Sequence, residues 1–456
     1  MTRTLLLYPP FCTPVTPPFS ITHIYAFIKI NISKDDSVSV LDLNVLFHNM
    51  KFPEQKKYFR NFTSNLDMKE YELISSDFQK TSSQIYSKNN RDIVNGRKPE
   101  LFSEIINSIL ERKPDYCAFS LVYSSQCFYA YSLIKELKKL GIKTVVGGPS
   151  VNQKIREIAD YSLNNELELL DLVIGNKQDH DKINFNNSID FSIYDKTDYF
   201  TPELVIPIKS SSTCYYKKCA FCTHHDKDCS YFEYSLENIK KTIVDSKEKH
   251  FFFIDDMIHK KRLLEIAQII KPLNVSWMCQ LRPTKDLDKK TLSVLHESGL
   301  KTILWGVESG NDRLLRLMQK GTNKKDIAKV LHDSHDAGIK NIAYIIFGFP
   351  KETKEELLET INFLKKNNES IDLVSVSMFG LQKGSDVYNN HEKYGVKILK
   401  ETKRTVLDPV IDYETDSGLS IKDALKLRKK YSFEIDKINN YPQIMNYFRE
   451  HYALLD

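Results

Sequence analysis

Three cysteines lie within nine residues of the chain, in the segment Cys214-Tyr-Tyr-Lys-Lys-Cys219-Ala-Phe-Cys222. Cysteine thiolates are the usual ligands of iron–sulfur clusters, and a [4Fe–4S] cluster contains four irons. Three thiolates from one short loop therefore leave one iron free to bind something other than protein. The spacing predicts a cluster of this kind on Cys214, Cys219 and Cys222, with one open coordination position.

A zinc site is the alternative interpretation of the same segment. Cys219 and Cys222 could bind a tetrahedral zinc ion together with His224 or His225. Structural zinc sites usually draw their ligands from two separated pairs, and no second Cys-x-x-Cys follows in the sequence, where Cys229 stands alone. The pattern favours the iron–sulfur cluster, and the zinc site stays open as the alternative.

Four later segments each place polar residues or a glycine at the end of an apolar run. They read Phe-Ile-Asp255-Asp256, Trp-Met-Cys-Gln-Leu-Arg282-Pro, Trp-Gly-Val-Glu308-Ser-Gly and Ile-Phe-Gly348-Phe-Pro. In a βα barrel the chemistry lies at the carboxyl ends of the strands. The polar residues and the glycine at these ends are therefore candidate binding residues.

In this order, the cysteine loop and the four strand-end segments resemble those of the radical S-adenosylmethionine (SAM) enzymes. The first gap of the cysteine motif is four residues where three are commonest, but an aromatic residue, Phe221, precedes the last cysteine as in the family. The resemblance implies a partial βα barrel whose cluster binds SAM at the open iron and cleaves it reductively.

The resemblance also implies which residues hold the nucleoside part of SAM. Phe221 is expected near adenine, and Gly348 is expected to let the backbone approach adenine closely. Glu308 lies in a Gly-x-Glu-Ser-Gly segment, followed by Lys320-Gly321-Thr322, and is expected to contact the bound cofactor.

The methionine part of SAM carries an ammonium and a carboxylate. Asp255 and Asp256 are expected near the ammonium, and Arg282 near the carboxylate, onto which a guanidinium can fork. Asp256 also precedes a helix predicted over Met257–Ile270, so helix capping stays open as its alternative role. Strand alternation predicts that Cys279 points away from the face of Arg282.

The first part of the chain alternates apolar runs with helical segments, as a parallel α/β sheet does. A long polar stretch, from about residue 51 to residue 98, predicts a helical excursion over one edge of this sheet. The predicted strands are Thr4–Tyr8, Val38–Val45, Tyr116–Tyr123, Thr144–Val146 and Leu170–Ile174.

Three loops after these strands resemble those of the cobalamin-binding Rossmann-like domain that precedes the radical domain in one large branch of the superfamily. They are Tyr8-Pro-Pro, Ser124-Ser125-Gln126 and Gly147-Gly148-Pro149. The resemblance implies that the second and third loops bind cobalamin; simple turns are the alternative. Because no Asp-x-His-x-x-Gly motif is present, no protein histidine is expected beneath cobalt.

The fold class is therefore α/β, with a Rossmann-like domain, a partial barrel and a short helical tail. The predicted divisions are 1–180 for the first domain, 181–203 for a linker, 204–385 for the barrel and 386–456 for the helical C-terminal region. The predicted barrel strands are Phe251–Ile254, Val275–Leu281, Thr302–Gly306, Ile342–Phe347 and Leu373–Phe379.

Composition narrows the class of protein. The 456 residues are 41% hydrophobic and 27% charged, which suffices for large buried cores. The net charge of +5 arises from 65 basic and 60 acidic residues and gives no reason to expect nucleic-acid binding. No apolar run approaches the roughly 18 residues of a membrane span. The sequence predicts a cytoplasmic protein without a membrane partner, and eight cysteines without a disulfide framework.

The resemblance implies an enzyme that modifies an unactivated carbon of a peptide or small-molecule substrate, with an electron donor such as flavodoxin or ferredoxin. If cobalamin is bound, the implied reaction is C-methylation. A cobalamin-free radical epimerase, cyclase or rearranging enzyme is the first alternative. A non-catalytic zinc or iron–sulfur binding module is the alternative from a different class.

Overall fold

The computed structural model describes residues 2–33, 36–62, 67–179, 182–185, 187–223 and 230–455. This part of the chain forms two compact units. The first unit comprises Met1–Pro207, Lys241–Lys247 and Lys403–Pro409, and the second comprises Ile208–Lys240, Glu248–Thr402 and Val410–Asp456. The segment 181–203, predicted to be a linker, belongs to the first unit, where Tyr199 and Phe200 are buried.

A parallel sheet organises the first unit. Its strands are β1 (Arg3–Tyr8), β2 (Ser37–Asp42), β3 (Tyr116–Ser120), β4 (Lys143–Gly147) and β5 (Tyr161–Ser162). They lie in the order β2-β1-β3-β4-β5, and each neighbouring pair is parallel. This order reverses direction between β1 and β3, which is the switch point where doubly wound sheets bind ligands. The Rossmann-like prediction is confirmed.

Helices cover both faces of this sheet. They are α1 (Phe19–Asn31), α2 (Leu43–Lys51), α3 (Pro53–Asn61), α4 (Met68–Val94), α5 (Phe102–Leu110), α6 (Cys127–Lys139), α7 (Gln153–Ile158) and α8 (Glu166–Ile174). Leu5 and Leu7 belong to one apolar core and Leu6 to another. Successive side chains of a strand point to opposite faces, so β1 separates two cores.

One strand prediction in this unit is wrong, and another extends too far. The run Leu170–Ile174 lies in α8, whose ends carry helix signals: Asn165 accepts from the backbone N–H of Glu168, and Gly175 ends the helix at φ 79°. A short apolar run does not distinguish strand from helix by periodicity. The run Val38–Val45 divides at Asp42, because this carboxylate caps α2.

A second, six-stranded sheet organises the second unit as far as the structure describes it. Its strands are β6 (Val205–Ile208), which begins in the first unit, and β9 (His250–Phe253), β10 (Ser276–Leu281), β11 (Leu300–Glu308), β12 (Lys340–Phe347) and β13 (Leu373–Met378). The short strands β7 (Ser211–Ser212) and β8 (Phe232–Glu233) pair with each other in a separate sheet. The order is β13-β12-β11-β10-β9-β6, with parallel pairs from β9 to β13. The predicted partial barrel is confirmed.

The helices of the second unit alternate with these strands. They are α9 (Leu236–Ser246), which continues into the first unit, and α10 (Lys260–Ile270), α11 (Lys289–Glu297), α12 (Asp312–Leu317), α13 (Lys324–Asp336), α14 (Lys354–Lys366), α15 (Asp386–Asn389) and α16 (Ile421–Asp436). Trp277 donates to the carbonyl of Ser298, just after α11, so this face of β10 meets the helices. Gln280 therefore lies on the opposite, inner face.

The C-terminal region is less helical than predicted. An antiparallel hairpin of β14 (Val396–Thr402) and β15 (Val410–Thr415) precedes α16. A final 3-10 segment, Arg449–Leu454, packs against β9, β10 and β11. None of the helices in the described ranges combines the length and apolar character needed to cross a membrane.

Candidate functional site

The cysteine loop joins β7 to β8 and is pinned to the turn between α12 and α13. The N–H of Ala220 donates to the carbonyl of Met318 over 2.9 Å, and the Tyr216 hydroxyl donates to the carbonyl of Gln319 over 2.8 Å. Thr213 and Lys217 have positive φ angles of 53° and 48°. These contacts and turns hold the loop that carries the three predicted cluster ligands.

Cys214, Cys219 and Cys222 are each half-buried, as expected for ligands of a shielded cluster. Burial raises the pKa of the Cys219 thiol, and the nearby Lys320 ammonium partly opposes this effect. Within the described residues, no three Cys, His, Asp or Glu side chains converge on a position for a single metal ion. In a [4Fe–4S] cluster each thiolate binds a different iron, so its ligands need not converge on one point.

The zinc interpretation also involved residues 224, 225 and 229. His224, His225 and Cys229 lie outside the described residues. The structure therefore does not test this alternative ligand set.

Asp255 serves the protein itself rather than an open site. It follows β9 and is fully buried, and its carboxylate accepts from the backbone N–H of Ser210 at 2.9 Å and from the hydroxyls of Ser210 and Ser211 at 2.9 and 2.6 Å. Burial raises its pKa, although these hydrogen bonds act in the opposite direction. Asp255 thus ties the end of β9 to the start of the cysteine loop, and its expected contact with a SAM ammonium is not supported.

Asp256, unlike Asp255, has a carboxylate that remains available to a ligand. It is partly exposed and has no hydrogen-bond partner among the residues that the structure describes. The capping alternative is wrong, because α10 begins at Lys260 and His259 is its cap, accepting at Nδ1 from the N–H of Arg262.

Arg282 follows β10, and its side chain is buried with one hydrogen-bond donor unsatisfied. Its guanidinium carbon lies 3.6 Å from the centroid of the Tyr216 ring, and Nη1 donates to the carbonyl of Lys320 over 3.2 Å. Its buried Nε–H has no partner within the described part of the chain. A buried guanidinium with an unsatisfied donor fits an anionic group such as a carboxylate. Cys279 is buried on the other face, as predicted.

Glu308 ends β11 and forms a buried ion pair with Lys320. Glu308 Oε1 lies 2.7 Å from Lys320 Nζ, and the two residues are 7% and 5% exposed. The strand register shifts between Gly306 and Glu308, and Glu308 has a φ of 64°. Burial acts to lower the pKa of Lys320, but the attraction of Glu308 and Cys219 and the hydrogen bond to Glu308 together raise it. A strained backbone at a buried charged residue is typical of functional sites.

Two glycines make room for this arrangement. A Cβ at Gly306 would lie 2.6 Å from Lys320 Nζ, and a Cβ at Gly321 would collide with the Tyr216 hydroxyl. Sequence reasoning did not propose Tyr216, Lys320 or Gly321 as site residues. The available signals were the position of Tyr216 inside the cysteine motif and the Lys-Gly pair after the Glu308 segment.

Phe221 and Gly348 differ in how well they fit their expected roles. The Phe221 ring is half-buried with its centroid 5.8 Å from Lys320 Nζ, so it belongs to the same site. Gly348 has a φ of 75°, and a Cβ there would lie 3.2 Å from the Cβ of Ala424 and 3.3 Å from the Met378 methyl group. This glycine is therefore required by its own turn and by packing, independently of any close approach to adenine.

Gln126 and Ser125 join the loops at the switch point of the first unit. The buried Gln126 side chain accepts from the N–H groups of Val122 and Tyr123 at 2.8 and 2.9 Å, and it donates to the carbonyl of Pro9 over 2.9 Å. The Ser125 hydroxyl donates to the carbonyl of Phe11 over 2.6 Å. Both side chains are used in holding the loops after β1 and β3 together.

The other predicted cobalamin-binding residues at this edge of the first sheet are more exposed. Ser124 and Gly148 are exposed, and Gly147 is half-buried. A Cβ at Gly147 would lie 3.5 Å from the carbonyl oxygen of Leu163, an ordinary contact. The loops 9–18, 121–126 and 147–152 contain no histidine. That cobalamin binds at this exposed rim, with no protein histidine on cobalt, stays a prediction.

Comparison with known proteins agrees with the site. Residues 208–364 match the family model of the Radical SAM superfamily. An uncharacterized methyltransferase of Pyrococcus horikoshii is 32% identical over 122 residues, which are 26% of this chain and 26% of that relative. The bacteriochlorophyllide d C-8(2)-methyltransferase of Chlorobaculum tepidum is 23% identical over 309 residues, covering 60% of this chain and 68% of the relative.

A solved structure extends the likeness to the whole chain. The radical SAM methyltransferase TsrM from Kitasatospora setae, solved with cobalamin and a [4Fe–4S] cluster, matches with a TM-score of 0.64 and 12% identity, covering 100% of this chain and 89% of TsrM. At this identity the likeness concerns the fold. Residues 208–364 therefore match the Radical SAM superfamily, as the cysteine and strand-end motifs predict, and the chain has the fold of TsrM.

Proposed function

We propose that this protein is a radical SAM enzyme that methylates an unactivated carbon with the help of cobalamin. The observation that carries the SAM part is the buried Arg282 guanidinium, whose Nε–H has no partner among the described residues, beside the cysteine loop. A buried donor without a partner costs stability, so such a group is kept where a ligand completes it.

The residues of the second unit divide the tasks of holding the cofactors. Cys214, Cys219 and Cys222 hold the cluster, and Arg282 binds the carboxylate of SAM. When bound, the cluster and SAM supply a carbon radical, and cobalamin supplies a methyl group to transfer. The chain's own part is to orient these groups and to exclude water from them.

Three further contacts complete the proposed binding of SAM. Asp256 accepts from the ammonium, and Glu308 accepts from the hydroxyls of the nucleoside. Phe221 packs against adenine. The carboxylates and the aromatic ring thus match the charged and apolar parts of SAM.

The substrate site lies on the inner face of the second sheet. Gln280 and Ile346 lie one residue before the ends of β10 and β12, and Tyr344 lies two residues before Ile346; all three are partly exposed. Inner-face residues of a packed barrel are buried, so an open interior accounts for their exposure. We propose that a peptide or small-molecule substrate enters there, and that a flavodoxin or ferredoxin supplies electrons to the cluster.

The test is cofactor analysis of protein purified without oxygen. The wild-type protein should hold one [4Fe–4S] cluster, form 5′-deoxyadenosine from SAM under reducing conditions and retain cobalamin after reconstitution. Replacing Cys214, Cys219 and Cys222 together by Ala should remove the iron and the 5′-deoxyadenosine, whereas Cys12→Ser serves as the matched control and should keep both. Full iron content in the triple variant would refute the assignment.

A cobalamin-free radical enzyme is the second candidate. The internal use of Gln126 and Ser125 favours it, because these side chains are occupied by their own loops. Cobalamin retention separates the two candidates: a protein that forms 5′-deoxyadenosine but binds no cobalamin belongs to the second.

A further inference from the structure

We propose that Lys320 is a positioning residue that holds Glu308 in place and makes the bound cluster easier to reduce. The inference rests on the proposed function, since it requires a cluster on the cysteine loop. Its first part concerns the ion pair with Glu308, and its second part concerns the charge beside Cys219.

Lys320 contacts two of the predicted cofactor-binding residues, one through its backbone and the other through its side chain. Its carbonyl accepts from Arg282, and its ammonium lies 2.7 Å from Glu308 Oε1. The neighbouring residues Gln319 and Gly321 have φ angles of 53° and 69°. This tight turn sets the directions of the Lys320 carbonyl and of the Lys320 side chain. Because the contact with Arg282 uses the backbone, a substitution at Lys320 removes only the contact made by the side chain.

The ion pair orients a carboxylate that has little other support. Glu308 sits on a bulged strand end with a left-handed backbone, and hydrogen bonding to Lys320 selects one direction for its side chain. Because the hydrogen bond from Lys320 goes to Oε1, the second carboxylate oxygen is left to accept from a ligand.

The ammonium also lies near the cysteine loop. Lys320 Nζ is 5.8 Å from the centroid of the Phe221 ring, next to the last cysteine of the motif. Reduction adds one negative charge to a cluster, and a buried cation nearby stabilises the more negative state. The lysine should therefore raise the reduction potential of the cluster.

The experiment compares Lys320→Met and Lys320→Arg in the reconstituted protein. The midpoint potential of the cluster is measured by a dithionite titration followed by electron paramagnetic resonance, and SAM affinity is measured by calorimetry. Lys320→Met should shift the midpoint to more negative values and weaken SAM binding about tenfold, the size expected for one charged contact. Lys320→Arg should stay close to wild type in both.

The matched control is Lys324→Met, which removes the same charge four residues further along the chain. Lys324 is exposed, so solvent and salt screen its charge. Its replacement should leave the midpoint potential and the SAM affinity unchanged.

A second variant covers the case in which Lys320→Met fails to hold a cluster. Lys320→Gln removes the positive charge but keeps a hydrogen-bond donor for Glu308, and its midpoint should also be more negative than that of wild type. An unchanged midpoint in a variant with full iron content would overturn the inference. A wild-type protein without any cluster would instead overturn the proposed function.

Discussion

The carbonyl oxygen of Leu121 lies where a side chain at Gly148 would begin: a Cβ at Gly148 would stand 2.5 Å from it. Gly148 also has a φ of 108°, which residues with a side chain rarely adopt. The loops after β3 and β4 therefore pack backbone against backbone at the edge where cobalamin is expected.

Replacement of Gly148 should consequently destabilise the first unit even without cofactor. Gly148→Ala should lower the free energy of unfolding by about 1–3 kcal/mol or more, because it combines backbone strain with a steric clash. Gly147→Ala is the matched control and should cost much less. Urea unfolding of both variants without cobalamin checks this. Wild-type stability of Gly148→Ala, with loss of cobalamin binding alone, would show that the glycine serves the cofactor.

The two neighbouring aspartates should separate into one structural and one binding residue. Asp255→Ala leaves the Ser210 N–H and two serine hydroxyls without their acceptor, so it should lower stability and iron content. Asp256→Ala should keep stability and iron content and weaken SAM binding. Thermal unfolding, iron analysis and SAM titration of the two variants distinguish these outcomes, and the reverse pattern would show that the roles are exchanged.

The loss of stability on substitution of Glu308 should depend on which side chain replaces the carboxylate. Glu308→Ala leaves the Lys320 ammonium buried without its partner, and breaking one side of a buried pair costs about 3–5 kcal/mol. Glu308→Gln keeps an acceptor and should cost less, while still weakening SAM binding. Unfolding free energies of the apoproteins test the difference. Equal stability of Glu308→Ala and wild type would mean that Lys320 finds another partner or loses its proton.

The stacked pair of Arg282 and Tyr216 should be sensitive to geometry rather than charge. Arg282→Lys keeps the charge but loses the planar contact with the ring at 3.6 Å and the forked donors. SAM affinity should fall roughly tenfold to a hundredfold, as for loss of a charge-assisted hydrogen bond. Tyr216→Phe keeps the stacking and should change affinity far less. Calorimetric titration with SAM measures both, and full affinity in Arg282→Lys would exclude the assigned role.

Glu352 should make stability fall as pH rises. Burial raises its pKa from the ordinary 4.5 to about 8, and its Oε1 has no hydrogen-bond partner within the described residues. The folded protein thus holds this proton more tightly than the unfolded chain. The stabilisation is complete below about pH 4.5 and is lost progressively towards pH 8.

The test for Glu352 is a comparison across pH. Each pH unit between the two pKa values corresponds to about 1.4 kcal/mol. Glu352→Gln removes the titration, so its free energy of unfolding relative to wild type should rise between pH 5 and pH 8 by up to a few kcal/mol. The acceptor for the Gly348 N–H is kept in this variant. Parallel pH profiles for both proteins would contradict the assigned pKa.

The parts of this protein that depend on local pattern can be predicted from the sequence alone. The spacing of Cys214, Cys219 and Cys222 predicts cluster ligands, and the polar residues after apolar runs predict the carboxyl ends of strands. Alternation along β10 places Cys279 away from the site. These features are predictable because they depend on neighbouring residues and on the two-residue period of a strand.

Which of the candidate side chains can still contact a ligand depends on the tertiary structure. Asp255 and Gln126 stand at the predicted strand ends, but donors and acceptors distant in sequence occupy them. The Glu308–Lys320 pair joins residues 12 positions apart across a strand bulge that no local pattern announces. A buried polar group must be satisfied by whatever the fold brings near, so its partner, and with it its role, depends on contacts that sequence spacing does not contain.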